Sequence, residues 1–426
     1  VIRQVVDQAG NLVIVDHEVV VHDHGTGLEP VVLRALGTRE ERFLDDEDHR
    51  RRLVIELRSG SIATGAVEVW VDADIFECHR DELPERLLSW LTGYRLKERS
   101  PAVRLHAGGA VSSRGGALLV VGASGSGKST LIAHFAARGF AVMSDEIISV
   151  HDRAERVSSF ERPLMIRKDV LERVGSPVGI QCGSGHRIVA PESIGSSYCP
   201  WARPEYILFP NRVNGLPARL QPLRPEETFE RLCANTFDLA IAPDANITRL
   251  ADLAASVPAA LLTYVDAQDA LETILQHWPT PPTESLSNRR VRPSVWRSDV
   301  KSSRLVPMPE IVPGVRTVDF GTSMVVVDAE LRRTVRLNEA GSRIWRTMVA
   351  GGRPRWRDHL FVKELEGNLV VRRAEWCDPR RRLRDAWRML FDRKWIGPPI
   401  GRAPINEHAE EPVADPTMDP AVEDIL

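Results

Sequence analysis

The chain has 426 residues and a formal net charge of −3, with 43% hydrophobic and 27% charged residues. That length allows roughly two or three domains with cores of their own, and the near-neutral balance argues against a globally basic nucleic-acid binder. Cys78, Cys182, Cys199, Cys233 and Cys377 are scattered, odd in number and never in C-x-x-C spacing, which argues against a disulfide framework or structural zinc and fits a reducing cytosol.

Residues 1–100 read as mostly strands, at 11–15, 18–22, 53–57 and 66–71, with a helix over 82–94. His22, Asp23 and His24 raise the thought of a metal, but no third ligand follows at useful spacing and solvated loop residues are the plainer reading. No apolar run approaches membrane-spanning length, the N-terminus lacks a charged-then-apolar secretory pattern, and no internal repeat is visible. The expectation is a soluble cytoplasmic protein with no membrane partner.

The stretch 103–111 predicts a strand carrying His106, followed by a hairpin-like turn at 112–116 and the apolar strand 117–121. Next come Gly122, Ala123, Ser124, Gly125, Ser126, Gly127, Lys128, Ser129 and Thr130, which keep the G-x-x-x-x-G-K-[ST] spacing of a P-loop. An apolar-periodic helix follows over 131–138, closed by Gly139. Strand, glycine-rich loop and helix are the context in which this spacing carries chemistry. Glycines let the backbone curl close to an anion, and the curled N–H groups with the helix N-terminus form a nest for phosphate oxygens. Lys128 is a mobile point charge for the β- and γ-phosphates, and the Ser129 hydroxyl can sit on Mg²⁺. A nucleoside triphosphate with Mg²⁺ is the implied ligand, and with no base-reading motif in the chain ATP and GTP both stay open at this point.

A short apolar strand at 140–146 ends in Asp145 and Glu146, and another covers 147–151. An acid at a strand end beside a P-loop is placed to hold Mg²⁺ or orient a nucleophile, although two adjacent acids also suit a solvated turn. Arg167, Lys168 and Arg187 can clamp phosphates, with plain exposed charge as the commoner role. The stretch 183–187 reads as a flexible loop and a candidate lid. A strand at 207–210 and helices at 226–235 and 266–277 complete this part.

Residues 103–150 resemble the catalytic core of HPr kinase/phosphorylase and its kinase relatives. The shared features are Leu105-His106, the loop from Gly122 to Ser129, and the paired acids in Ser144-Asp145-Glu146. The segment Phe160-Glu161-Arg162-Pro163-Leu164 also looks like this group. The family's second acid is Asp where this chain has Glu146, and its N-terminal domain has no counterpart in residues 1–100, so the likeness is to the diverged relatives. It implies the α/β P-loop fold shared with phosphoenolpyruvate carboxykinases. It also implies roles: 122–130 hold phosphates, Ser129 and Glu146 serve the metal, Asp145 takes the acceptor's proton, and His106 lies near Asp145 and tunes it.

Residues 279–309, rich in Pro, Ser and Arg, read as an extended linker. Strands are expected at 315–320, 324–328 and 333–337, then a helix over 341–349 with Ile344, Trp345 and Met348 on one face. Another helix, over 379–394, carries Leu383, Trp387, Leu390 and Phe391. This pattern predicts a small independent α+β domain at 310–398, and the tail at 399–426 is acidic and Pro-rich. The stretch 335–345 and the closing helix resemble the PqqD-type module, a winged-helix-like reader of precursor peptides. That resemblance implies a leader peptide adding as a strand beside the third strand of the module; a purely structural small domain is the alternative. The arginines around 380–382 read as a solvated face or a surface for an acidic peptide.

The expected protein is thus an α/β P-loop kinase-like domain (1–278, with a β-rich 1–100 and a catalytic 101–278) joined to a PqqD-like domain. The expected activity is ATP-dependent phosphorylation of a hydroxyl, serine first, on a precursor peptide. The alternatives are a small-molecule or folded-protein acceptor, or a nucleotide-gated peptide chaperone without chemistry. A homo-oligomer is left open.

Overall fold

The structure, a computed structural model, describes residues 17–23, 28, 31, 51–59, 66–71, 74–97, 100–160, 162–175, 179–213, 215–278, 293–297, 310–311, 315–321, 323–330, 332–350 and 371–372. It is a mixed α/β protein built around one large sheet.

A four-stranded sheet comes first, from β1 (His17–Asp23), β2 (Arg51–Ser59), β3 (Ala66–Val71) and β4 (Asp74–His79), in that spatial order. Val67, Val69 and Val71 alternate inward along β3, as period 2 requires. Helix α1 (Leu83–Lys97) covers them with Leu83, Leu87 and Leu91, one turn apart on one face. The strands expected at 18–22, 53–57 and 66–71 fall within β1 to β3; the one at 11–15 lies outside the described residues.

The central sheet is eight-stranded. Its strands are β5 (Val103–Val111), β6 (Gly116–Val121), β7 (Ala141–Ser144), β8 (Ile147–Val150), β9 (Val157–Ser159), β13 (Trp201–Arg212), β14 (Arg219–Leu223) and β15 (Ala259–Tyr264). The order runs β14-β15-β13-β6-β5-β8-β9, with β7 beside β5. β6, β13 and β15 are parallel, whereas β5 pairs antiparallel with β6 through the turn at Gly115, as the hairpin-like stretch predicts. Trp201 and Ala202 of β13 reach β9 and the residues from Arg203 to Leu208 reach β6, so the sheet curls back on itself.

Two cores follow from the alternation along β6. Leu118 and Val120 face α2 (Lys128–Ala137) and α6 (Ala267–Leu275), whereas Ala117, Leu119 and Val121 face α4 (Pro225–Ala234) and α5 (Pro243–Ser256). α2 lies close to the sheet because β5 has a glycine under it. A Cβ on Gly108 would meet Ile132 Cγ1 at 2.7 Å. A smaller sheet, β10 (Leu164–Arg167), β12 (His186–Val189) and β11 (Ile180–Gln181), flanks α2 together with α3 (Lys168–Arg173).

The C-terminal part departs from expectation in two ways. Ser294–Arg297, inside the stretch read as linker, is a strand (β16) antiparallel to β18 (Val315–Asp319). Its Ser-Val-Trp-Arg is the one β-prone run in a Pro- and Arg-rich stretch, and a partner edge is what turns it into a strand. A separate two-stranded pair joins β17 (Glu310–Ile311) to β21 (Val371–Arg372). β18 (Val315–Asp319), β19 (Met324–Asp328) and β20 (Arg333–Leu337) complete a four-stranded antiparallel sheet, and α7 (Glu339–Val349) follows.

This sheet also shares its apolar core with the larger one. Val318, Phe320, Val325 and Val327 join one core with Phe229, Leu232, Ile247 and Leu250 of α4 and α5. One valine-rich face needs cover, and the helices of the larger sheet supply it. On the other face Trp345 of α7 is fully buried and its Nε1 donates to Thr317 Oγ1 at 2.8 Å. The helix expected at 379–394 and the tail lie outside the described residues. Among the described residues no helix is long and apolar enough to cross a membrane.

Candidate functional site

The glycine-rich loop leaves the carboxyl end of β6 and runs into α2. Gly122 N–H donates to His106 O at 3.2 Å, Ser126 N–H to Ala123 O at 3.3 Å, and Leu131 N–H to Gly127 O at 3.0 Å. Gly127 caps α2 with φ +95, and a Cβ there would fall 2.0 Å from Tyr264 Oη. Tyr264 ends β15, so a strand two places from β6 props the loop from beneath. Glycine is needed at 127 for both reasons.

Lys128 is 5% exposed. Its Nζ donates to Gly122 O at 2.8 Å and Ala123 O at 3.0 Å, and lies 2.9 Å from His106 Nε2. Burial lowers its pKa from the ordinary lysine value, opposed by the charges of Glu146 and Asp145.

Ser144, Asp145 and Glu146 lie where β7 passes into β8, an irregular step in one path that runs antiparallel along β5. Ser144 Oγ accepts from the N–H groups of Glu146 and Ile147, both at 3.2 Å, and Glu146 O accepts from Ala107 N–H at 3.0 Å. The two acids are held at different depths. Glu146 lines the cleft, and its Oε1 is 3.2 Å from His106 Nε2. Burial by itself would raise its pKa. The hydrogen bond from His106 and the charges of Arg162, His106 and Lys128 outweigh that and hold the carboxyl at about 2.

Asp145 is 1% exposed and does not line the cleft. Its Oδ1 accepts from Arg162 Nη2 at 3.0 Å and its Oδ2 from Met165 N–H at 3.2 Å. Both oxygens are therefore engaged inside the protein. His106, expected beside Asp145, meets Glu146 instead. Arg162 Nη2 reaches both carboxylates, Asp145 at 3.0 Å and Glu146 at 3.5 Å, and it holds the more deeply buried Asp145 the more closely.

The cleft between loop, β5 and the smaller sheet has a volume of about 240 Å³. His106, Ser124, Gly125, Gly127, Lys128, Ser129, Thr130 and Glu146 line it, so most of the predicted site residues meet there. Gly122, Ala123 and Ser126 support the curl; Ser126 Oγ is buried 2.7 Å from where a Gly122 Cβ would stand. Met165, Arg167, Arg173, His186, Arg212 and Tyr264 also line the cleft. Of these Arg167 was a phosphate-clamp candidate and His186 belongs to the stretch expected as a lid; Arg167 is paired with Asp169 at 2.9 Å. Lys168 pairs with Glu172 at 3.9 Å and Arg187 does not reach the cleft.

Arg162 is the residue that sequence reasoning passed over. It is 4% exposed, bridges Asp145 and, at 3.5 Å, Glu146, and donates to Thr92 Oγ1 of α1 at 3.3 Å. Its only sequence signal was its place in the segment 160–164. The expected lid at 183–187 is a pinned turn instead. Gly183 N–H donates to Asp81 O at 3.0 Å and Ser184 Oγ to Glu85, so the N-terminal part of the chain ties it down.

Among the described residues no group of three His, Cys, Asp or Glu side chains is arranged to hold a metal. Cys78, Cys182, Cys199 and Cys233 are free thiols, and Cys377 lies outside the described residues. No family model and no curated protein matches this chain.

Proposed function

We propose that the chain is an ATP-dependent, P-loop serine kinase related to HPr kinase, acting on a precursor peptide held by a PqqD-like C-terminal sheet. The observation that carries the reading is the junction at His106 Nε2, which brings Lys128 Nζ within 2.9 Å and the ionised Glu146 within 3.2 Å at the mouth of the glycine-rich loop. A cation for the phosphates and a carboxylate for the acceptor side meet in one cleft, as phosphoryl transfer requires.

The donor set suits Mg²⁺. Ser129 and Glu146 offer a hydroxyl and a carboxylate on the same cleft, and a Mg²⁺ held against phosphates needs only one or two protein oxygens. These two residues would hold the ion, and the ion would neutralise charge on the transferring group. Lys128 does the same from the loop side. A carboxylate held at about 2 is a weak proton acceptor. Its part is to orient the acceptor hydroxyl, which suits a loose transition state that depends on positioning more than on early deprotonation. Asp145 and Arg162 act behind it as a buried anchor.

The peptide as acceptor rests on the C-terminal sheet. Among the described strands β20 is an edge, and an extended peptide gains affinity by main-chain pairing at such an edge. The test is to incubate the purified full chain with ATP, Mg²⁺ and the short peptides encoded beside its gene. A phosphate mass gain on a peptide serine is the expected outcome. Absence of phosphorylation across those peptides, with ATP bound, would return the acceptor to the small-molecule class or the chain to an escort role.

A further inference from the structure

The segment between α4 and α5 joins the C-terminal sheet to the middle of the site. Asn235 O accepts from His106 N–H at 2.8 Å, Thr236 bridges Leu105, and Phe237 N–H donates to Arg104 O at 2.9 Å. This stretch lies along β5 where β6 has already ended. The Phe237 ring stands 5.5 Å from the His106 ring, tilted by 42°. Just beyond, Asp238 is bolted to β5 by Arg104, with bonds of 2.6 and 2.7 Å and both side chains under a tenth exposed.

From the other side the C-terminal sheet grips the same segment. Arg332, in the turn between β19 and β20, donates to Phe237 O at 2.9 Å. Phe320 packs on Phe229 at 5.7 Å, and Leu232 and Leu239, which flank the segment, share a core with Val325 and Val327.

We infer that Phe237 is a positioning residue for His106, and that the C-terminal sheet acts on the cleft through it. The inference rests on the phosphoryl-transfer reading of that cleft. His106 Nε2 serves Lys128 and Glu146 at once, so a small turn of the ring alters both contacts. Phe237 packs against the ring, Asn235 holds the backbone beneath it, and both belong to a stretch that the C-terminal sheet touches directly. A shift of the β19–β20 turn therefore has a route of packed and hydrogen-bonded groups to the reacting end of the cleft, and the two sites need no longer relay.

The test uses the full chain with ¹³C-labelled histidine, the His106 ring signal being assigned by its loss in His106→Gln. Phe237→Ala is expected to lower kcat about tenfold or more while KM for ATP stays within about twofold, and Phe237→Tyr to restore most of it. Arg332→Glu, a surface change, is expected to move the His106 ring signal with Tm shifted by at most a few degrees; Arg333→Glu controls for charge. An unchanged kcat in Phe237→Ala well below its Tm, or a His106 signal that moves no more in Arg332→Glu than in Arg333→Glu, overturns the inference. Should Phe237→Ala fail to fold, Phe237→Leu and Arg332→Glu decide. Should the wild-type chain turn over no ATP at all, the phosphoryl-transfer reading fails by itself, and the ring signal still decides whether the sheet reaches His106.

Discussion

At the scale of single residues, the two adjacent acids carry the sharpest distinction. Glu146 faces the cleft, ionised, against His106; Asp145 is sealed behind it by Arg162 and a backbone N–H. Glu146→Gln is therefore expected to reduce turnover on the order of 100-fold and to raise the Mg²⁺ concentration that turnover needs, with affinity for metal-free ATP retained, because the carboxylate that serves the ion and the acceptor loses its charge. Asp145→Asn is expected to act mainly through stability, since it leaves the buried Arg162 without its closest anion. Steady-state kinetics beside thermal melts separate the two; the opposite ranking would restore Asp145 as the reacting acid. The sign for pH follows from the depressed Glu146. Its contribution to stability is complete above the ordinary carboxylate range and fades only as pH falls toward about 2. A pH profile of turnover near neutrality thus reports other groups.

At the scale of elements, the site is made by a loop that two strands brace. β6 delivers the loop, and β15 places the Tyr264 hydroxyl beneath Gly127. Gly127→Ala forces a side chain into a left-handed backbone position and against that hydroxyl. Calorimetric titration is expected to show ATP binding weakened by about tenfold, from strain on the order of 1–2 kcal/mol, in a chain that still folds. The strand–loop–helix context was legible in the sequence because the apolar run, the glycines and the helical period all point the same way at 117–138. α5 was not, because Pro243–Ser256 mixes alanines with scattered polar residues and shows its apolar face only once Ile247, Leu250 and Leu253 are set against the sheet.

At the scale of the whole molecule, the C-terminal sheet and the larger sheet share one core, and charges stud the contact. Arg316 meets Asp244, and Arg336 lies 2.9 Å from Glu227 and 3.7 Å from Glu230. Removing the C-terminal part would expose Phe229 and Leu232, so loss of activity in a truncation says little about peptide capture; point changes are the sound probe. Glu230, 4% exposed, has its pKa pushed up to about 7 by burial, against the charge of Arg336. Its proton is kept in the folded chain and lost in the unfolded one between about 4.5 and 7. Stability therefore falls as pH rises through that window. Glu230→Gln is expected to flatten this fall and to stabilise the chain at pH 8 on the order of 1–3 kcal/mol, measured by urea unfolding at pH 5 and pH 8.

From its sequence alone the chain determined the loop from Gly122 to Thr130, the strands and helix around it, and the presence of His106 and two acids within reach. Those are local matters: residue type, period and turn chemistry act over neighbours in the chain. Which acid faces the cleft, the buried hold of Arg162, the packing of Phe237 on His106 and the merging of the C-terminal sheet with α4 and α5 were decided only by the tertiary structure. Each depends on groups far apart in sequence, and their contacts exist only when burial of the common apolar faces brings the strands and helices together.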